Sequence, residues 1–166
     1  MAAVEVSFTP LPTHVRTARL IAAAVARRNG IEGALLDEIR LAVGEACSRA
    51  VAVHQRHAPA TPVTLTILDE HDSLVVTVVD TAGEDQGADT RTIEDPFDLL
   101  TGMPSDPSEL LDVLPSGFEL AVIAGLVDDL DVVRGPTGTV VRMTWKSPAR
   151  DGGGPSTTQA AEESPN

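Results

Sequence analysis

The stretch from Leu35 to His57 constrains the fold of this chain more than any other part of the sequence. Apolar side chains recur there every three or four residues, which is the spacing of one face of an α-helix. They are Leu35, Ile39, Ala42 or Val43, Ala46, Ala50 and Val53. A stripe of this width is typical of a helix that packs against a sheet. Glu45, Arg49 and Arg56 lie beside the stripe, so we expect any function of this helix to lie on that edge.

Composition excludes several classes of function. The chain has 166 residues, enough for one domain with its own core, and a formal charge of -13 that repels phosphate backbones and anionic membranes. Only Trp145 and three Phe are aromatic, which argues against stacking on nucleic-acid bases. We therefore expect no nucleic-acid partner and no membrane partner.

The single Cys47 lies in the apolar run, so we expect it to be a core residue. The sequence has no long apolar segment, which predicts a soluble cytoplasmic protein.

The charges are unevenly distributed along the chain. Arginines concentrate in the first third, whereas the charged residues of the segment from Glu84 to Asp112 are all acidic except Arg91. Such a distribution suits a protein partner with a matching charge pattern. Solvated faces and an acidic loop explain it equally well.

The first half of the chain predicts a strand, two helices and a hairpin. Residues 4–8 alternate in polarity, and Pro10 and Pro12 end that strand. Thr13 offers an N-cap for a helix that reaches about Arg28, and the central helix follows from Gly33 to about His57. Residues 63–68 and 74–79 alternate on either side of a polar turn, which predicts an antiparallel hairpin that ends at Asp80.

The second half predicts a long connection and a closing hairpin. Residues 81–115 are rich in Gly, Asp and Pro, and we interpret them as a lid with one or two helical turns. A helix then runs from Ser116 to about Val127, and strands at 130–133 and 139–145 flank a turn. Residues 147–166 have little to bury and are expected to be disordered.

This order of elements predicts one α/β domain over residues 1–146. We expect a two-layer α/β (α+β) sandwich, with a mixed, mainly antiparallel sheet and helices on one face. No disulfide framework or internal repeat adds a further constraint.

Four short motifs in order resemble those of the bacterial anti-sigma-factor serine kinases, which have the histidine-kinase-like ATPase fold. They are L-A-V-G-E-A-C-S-R-A-V at 41–51, D-T-A-G-E at 80–84, G-F-E-L at 117–120 and G-T-V-V at 138–141. The resemblance covers roughly residues 4–146. It implies a protein kinase that uses Mg-ATP, forms a homodimer through the first strand and first helix, and binds a sigma factor and an anti-anti-sigma factor. The basic residues of the first helix and the lid are the implied partner surfaces.

The resemblance also implies roles for individual residues. Glu45 matches the residue that orients or deprotonates the attacking hydroxyl, and Asp80 the residue that binds the adenine amino group. Gly83, Gly117 and Thr139 match other positions of the ATP or ADP site. Apart from the resemblance, Asp80 could equally be a turn former at a strand end.

The chain departs from the family at positions that matter for chemistry. Arg49 stands where the family has the Asn that binds Mg²⁺, and a guanidinium has only donors, so it cannot bind a metal although it could contact a phosphate. Ala82, Glu84 and Glu119 replace motif glycines. We expect Glu45 to pair with Arg49 at i,i+4, which would occupy the lone pairs that a base needs.

Three functions remain open on this basis. The first is an anti-sigma-factor-like regulator that works by partner switching, with an impaired nucleotide site. The second is an active Mg-ATP-dependent serine/threonine kinase whose substrate is an anti-anti-sigma factor. The third is a scaffold of the same fold that binds an unrelated protein. No metal site is predicted from the histidines, since His54 and His57 have no Cys or carboxylate at ligand spacing.

Overall fold

The computed structural model describes residues 2–70, 72–81 and 118–146. The elements are, in chain order, β1 (Ala2–Phe8), α1 (Pro12–Arg28), α2 (Gly33–His57), β2 (Val63–Glu70), β3 (Ser73–Asp80), α3 (Phe118–Ala124), β4 (Asp129–Gly135) and β5 (Gly138–Lys146). The first two helices and both predicted hairpins lie where the polarity patterns place them.

The strands form one five-stranded sheet in the order β1-β2-β3-β5-β4. Each neighbouring pair of described strands is antiparallel. The last strand, β5, therefore lies inside the sheet, between β3 and β4. In this register Asp80, at the end of β3, is directly opposite Thr139, near the start of β5.

One face of the sheet is covered by the helices. Alternate residues of β2 are fully buried, namely Val63, Leu65 and Ile67. This pattern arises because successive side chains of a strand point to opposite faces. The second helix packs against β2, β3, α1 and α3, so it lies at the centre of the helical layer. The expected two-layer sandwich with a mainly antiparallel sheet is confirmed.

Helix α2 is held in the core by a wide strip of small and apolar side chains. Ile39, Ala42, Val43, Ala46 and Ala50 are at most 1% exposed. Small residues along this strip let the helix axis approach the sheet and α1 closely. The strip also includes two polar residues, Arg49 and His54, which are both buried.

Several element boundaries differ from those expected. Helix α1 begins at Pro12, and Leu11 is its N-cap without a side-chain cap bond, so the expectation of Thr13 as the cap is wrong. Proline suits the first helical turn because its missing N–H would have no helical partner there. The fourth strand is longer than expected, from Asp129 to Gly135, and the last helix, described from Phe118, ends at Ala124 and not at about Val127.

The predicted lid beyond Thr81 and the predicted tail at 147–166 lie outside the described residues. In the part of the chain that the structure describes, no helix is long and apolar enough to span a membrane.

Candidate functional site

The candidate site lies where α2 crosses the end of β3 and the beginning of β5. Arg49 occupies a buried position on α2, with only 6% of its surface exposed. The adjacent Ala50, which is buried, and Ala46, one turn earlier, are small. The helix therefore comes close enough to the sheet for the arginine to reach the strand ends.

Arg49 binds two residues of the sheet. Its Nη1 donates to Oδ2 of Asp80 at 2.7 Å, and its Nη2 donates to Oγ1 of Thr139 at 3.1 Å. The backbone N–H of Thr139 donates to the other carboxylate oxygen of Asp80 at 3.0 Å. These three residues, here called the arginine–aspartate cluster, join one helix to two strands.

Burial makes the hydrogen bonds of the cluster important for stability. The Asp80 side chain is 1% exposed, so both charges of the ion pair have lost their hydration. A buried pair of this kind is tolerated only when geometry and extra hydrogen bonds compensate for desolvation. Here each Asp80 oxygen accepts a bond and two guanidinium nitrogens donate one, which is the charge-assisted arrangement that compensates best.

Gly138 allows β5 to begin beside Asp80. Its φ is 136°, a conformation that residues with a side chain rarely adopt, and a Cβ there would overlap the Asp80 carbonyl. The absence of a side chain at Gly138 therefore sets the register that places Thr139 opposite Asp80.

His54 fixes the chain immediately after Asp80. The ring is fully buried, with Nδ1 at 2.8 Å from the carbonyl oxygen of Thr61 and Nε2 at 3.0 Å from the backbone nitrogen of Thr81. A carbonyl can only accept and an amide N–H can only donate, so these partners require the tautomer with its hydrogen on Nδ1. Arg49 and His54 thus fasten two consecutive residues, Asp80 and Thr81, to α2.

Glu45 lies one turn before Arg49 but does not pair with it. The Glu45 side chain is half-buried and has no hydrogen-bond or ion-pair partner among the described residues. The expected i,i+4 ion pair is therefore wrong. Arg49 pairs instead with Asp80, because a guanidinium on the buried face of α2 needs a buried counter-ion and Asp80 is the carboxylate at that place.

The structure brings together three of the residues that the sequence singled out, Arg49, Asp80 and Thr139. Gly83 and Gly117 lie outside the described residues. Glu119, which replaces a motif glycine, is in the first turn of α3, and its Oε2 is buried without a hydrogen-bond partner in the part of the chain that is described.

Sequence reasoning missed the role of His54 and the close approach at Gly138. One signal for His54 was available, since it continues the spacing of four from Ala46 and Ala50 and therefore falls on the buried strip. The contact at Gly138 had no such signal, because it depends on how β3 and β5 pair.

Cys47 lies next to the site in sequence but has a different environment. It is fully buried, and burial raises the pKa of its thiol to about 12, while the nearby Arg19 acts in the opposite direction. In the described ranges, no group of three or more His, Cys, Asp or Glu side chains is placed to hold a metal ion.

Comparison with known protein families assigns most of the chain. The family model described as the histidine kinase-like ATPase domain matches residues 8–145. No curated protein matches the sequence.

Proposed function

We propose that this chain, which belongs to the histidine kinase-like ATPase family, is an anti-sigma-factor-like regulatory protein with an impaired nucleotide site. It would act by partner switching between a sigma factor and an anti-anti-sigma factor. The observation that carries the proposal is the bond from Arg49 to Asp80, because it commits the proposed adenine-binding carboxylate to a partner within the chain.

Membership of an ATPase family suggests nucleotide binding, yet the residues of this site suit a Mg²⁺-bound nucleotide poorly. Arg49 has no lone pair to offer a metal at the position where the similar kinases have an asparagine. Both oxygens of Asp80 already accept bonds from Arg49 and Thr139. The buried Oε2 of Glu119, which has no hydrogen-bond partner among the described residues, adds an acceptor and not a donor for phosphate. We therefore assign no chemical step to a nucleotide.

Surfaces for protein partners remain available on the first helix and first strand. The exposed cations of α1 would attract an acidic partner segment; they are Arg16, Arg19, Arg27 and Arg28. Strand β1 is an edge of the sheet, and two leucines, Leu11 at the N-cap of α1 and Leu20 within α1, are 46% and 54% exposed. An edge strand and exposed leucines on the first helix both support the proposed homodimer.

A second function, the protein kinase, is favoured by Glu45. This carboxylate is half-buried and is not held by Arg49, so its lone pairs are available to a substrate hydroxyl. Kinase activity would then require a metal site built without an asparagine at position 49.

Calorimetric titration with ATP and ADP, with and without Mg²⁺, distinguishes the two functions. We expect no heat of binding for the wild type and a gain of binding in Arg49→Asn, which frees Asp80 and supplies an oxygen ligand. Micromolar, Mg-dependent binding by the wild type would contradict the impaired site and place the kinase first. Arg40→Asn is the matched control, because Arg40 is an exposed arginine of the same helix.

The partner class needs a separate experiment. The purified chain is tested for binding to each sigma factor and each anti-anti-sigma factor of its source organism, with transfer of labelled phosphate measured in the same mixtures. We expect binding without transfer. Binding with transfer would support the kinase, and a complete absence of binding would leave the unrelated scaffold.

A further inference from the structure

We infer that Arg49 is an internal ligand: its guanidinium fills a binding notch formed by Asp80 and Thr139, and removal of the side chain would open that notch to small planar guanidinium or amidinium cations. The inference does not depend on the proposed function, since it concerns a bond within this chain and requires no sigma-factor partner and no nucleotide.

The first step is that Arg49 connects parts of the chain that are distant in sequence. It lies 31 residues before Asp80 and 90 residues before Thr139. Its guanidinium group donates to acceptors on two strands, whereas its backbone is part of α2, in the helical layer. A bound small molecule contacts several walls of a pocket in the same way. The Arg49 side chain therefore occupies the notch as a ligand would.

The second step is that residues other than Arg49 hold the notch in shape. The N–H of Thr139 fixes one oxygen of Asp80, and His54 fixes the backbone of Thr81. The contact of Gly138 with the Asp80 carbonyl and the pairing of β3 with β5 fix the strand ends. These contacts do not pass through Arg49, so we expect the notch to persist when the side chain is shortened.

The third step concerns the chemistry of the ligand. Without Arg49, Oδ2 of Asp80 and Oγ1 of Thr139 would be two acceptors aimed into the space that the guanidinium leaves. Two adjacent N–H groups of a planar cation match a carboxylate and a hydroxyl in this arrangement. An alkylammonium ion carries the same charge without the rigid fork, so it should fit less well.

The test uses the full chain with Arg49→Ala, and methylguanidinium chloride as the probe. Urea unfolding is followed by circular dichroism at several probe concentrations, with sodium chloride at equal ionic strength as the reference. We expect Arg49→Ala to unfold at lower urea than the wild type and to regain stability saturably as methylguanidinium is added. At ten times its dissociation constant, a ligand specific for the folded state raises the folding equilibrium constant about elevenfold.

Four controls make the result specific. The wild type and Arg40→Ala should not be stabilised, because the notch is filled in both. The double variant Arg49→Ala with Asp80→Asn should not be stabilised, because the acceptor charge is gone. Methylammonium should stabilise Arg49→Ala less than methylguanidinium does.

Other results would overturn the inference. Equal stabilisation of the wild type or of the double variant would show that the cation acts elsewhere. Stabilisation by adenosine but not by methylguanidinium would show that the notch selects a neutral base rather than a cation. If Arg49→Ala is unfolded, recovery of its native circular dichroism with methylguanidinium supports the inference, and absence of recovery overturns it.

Discussion

At the scale of single residues, Arg49 stands where the helical repeat of α2 places core side chains. A buried arginine is compatible with folding only if its charge is balanced and its donors are satisfied. Asp80 and Thr139 provide both, at 2.7 and 3.1 Å. The consequence is a strong interdependence: loss of any one of the three leaves a buried polar group without its partner.

We expect Arg49→Met to lower the free energy of unfolding by about 3–5 kcal/mol, because it leaves the Asp80 carboxylate buried and uncompensated. Adding Asp80→Asn should restore part of that loss, because the amide oxygen still accepts from Thr139 while the charge is removed. Urea denaturation of the two single variants and the double variant measures the coupling between the sites. Arg40→Met, at an exposed arginine, should change stability by less than about 0.5 kcal/mol. Additive effects of the two changes at the cluster would contradict the pairing.

Gly138→Ala should be far more destabilising than Gly30→Ala. Both glycines have positive φ, but a Cβ at Gly138 would overlap the backbone of Asp80, whereas a Cβ at Gly30 would have no atom within 4 Å. Backbone strain alone costs on the order of 1 kcal/mol, and this is the effect expected at Gly30. At Gly138 the steric overlap is added to that strain. Thermal melting of the two variants compares them, and equal losses would show that β5 can shift away from Asp80.

The thiol of Cys47 should be unreactive in the folded protein. Burial raises its pKa to about 12, so the thiolate, which is the reactive form, is scarce throughout pH 7–9. Reaction with a disulfide reagent such as DTNB should be slow over that range and rapid after unfolding in urea. Fast, stoichiometric reaction of the native chain at pH 8 would mean that α2 opens locally in the native state.

At the scale of elements, the end of β3 is fastened to α2 at two consecutive residues. Arg49 holds Asp80 by its side chain, and His54 holds Thr81 by its backbone N–H. His54 also holds the carbonyl of Thr61, in the connection from α2 to β2. Helix α2 therefore determines the positions of Asp80 and Thr81.

Replacement of His54 by Leu should free the N–H of Thr81 and the carbonyl of Thr61 from their partners. We expect a loss of about 1–3 kcal/mol, the usual cost of leaving a buried polar group unsatisfied. Amide hydrogen exchange provides the local readout: the Thr81 amide should lose protection more than that of Val76 in the middle of β3. His57→Leu is the control, because His57 is exposed near the end of the same helix. Uniform loss of protection along β3 would indicate a global effect instead.

The elements could be predicted well from the sequence where a periodic pattern covers many residues. The repeat of α2 indicates its whole length, and the alternation in β2 and β3 indicates a hairpin, because burial on one face imposes these periods. The N-cap at Thr13 was predicted wrongly because Pro12 can occupy the first turn without any cap bond. Boundaries depend on such local choices, whereas the presence of an element depends on the sum of many residues.

The site was less predictable than the elements around it. Local rules favour a bond between Glu45 and Arg49, one turn apart on a helix. The actual partner of Arg49 is 31 residues away, and it is selected by burial, which depends on how the helix packs on the sheet. The resemblance of ordered motifs placed Arg49, Asp80 and Thr139 in one site, but it gave no indication of which of them bind one another.

At the scale of the whole molecule, the helices cover one face of the sheet, and β1 and β4 are its two edges. Helix α1, the other part of the proposed homodimer interface, has Leu20 about half exposed. If the first strand and first helix form the proposed homodimer, Leu20→Glu should shift the mass measured by light scattering from dimer to monomer. Leu41→Glu, at a leucine of α2 that is 43% exposed, should leave the mass unchanged. A dimer in both variants would place the interface elsewhere.

The interior position of β5 has a consequence during translation. Thr139 is synthesised 59 residues after Asp80. A nascent chain therefore already contains β3 while β5, its neighbour in the sheet, has not yet been synthesised. Until then Asp80 and Arg49 lack their bridging threonine, and one edge of β3 is open to wrong pairing with another chain. The final fold is thus reached only after the last described strand has been inserted between two earlier ones, and premature termination before Gly138 would leave an aggregation-prone fragment rather than a smaller domain.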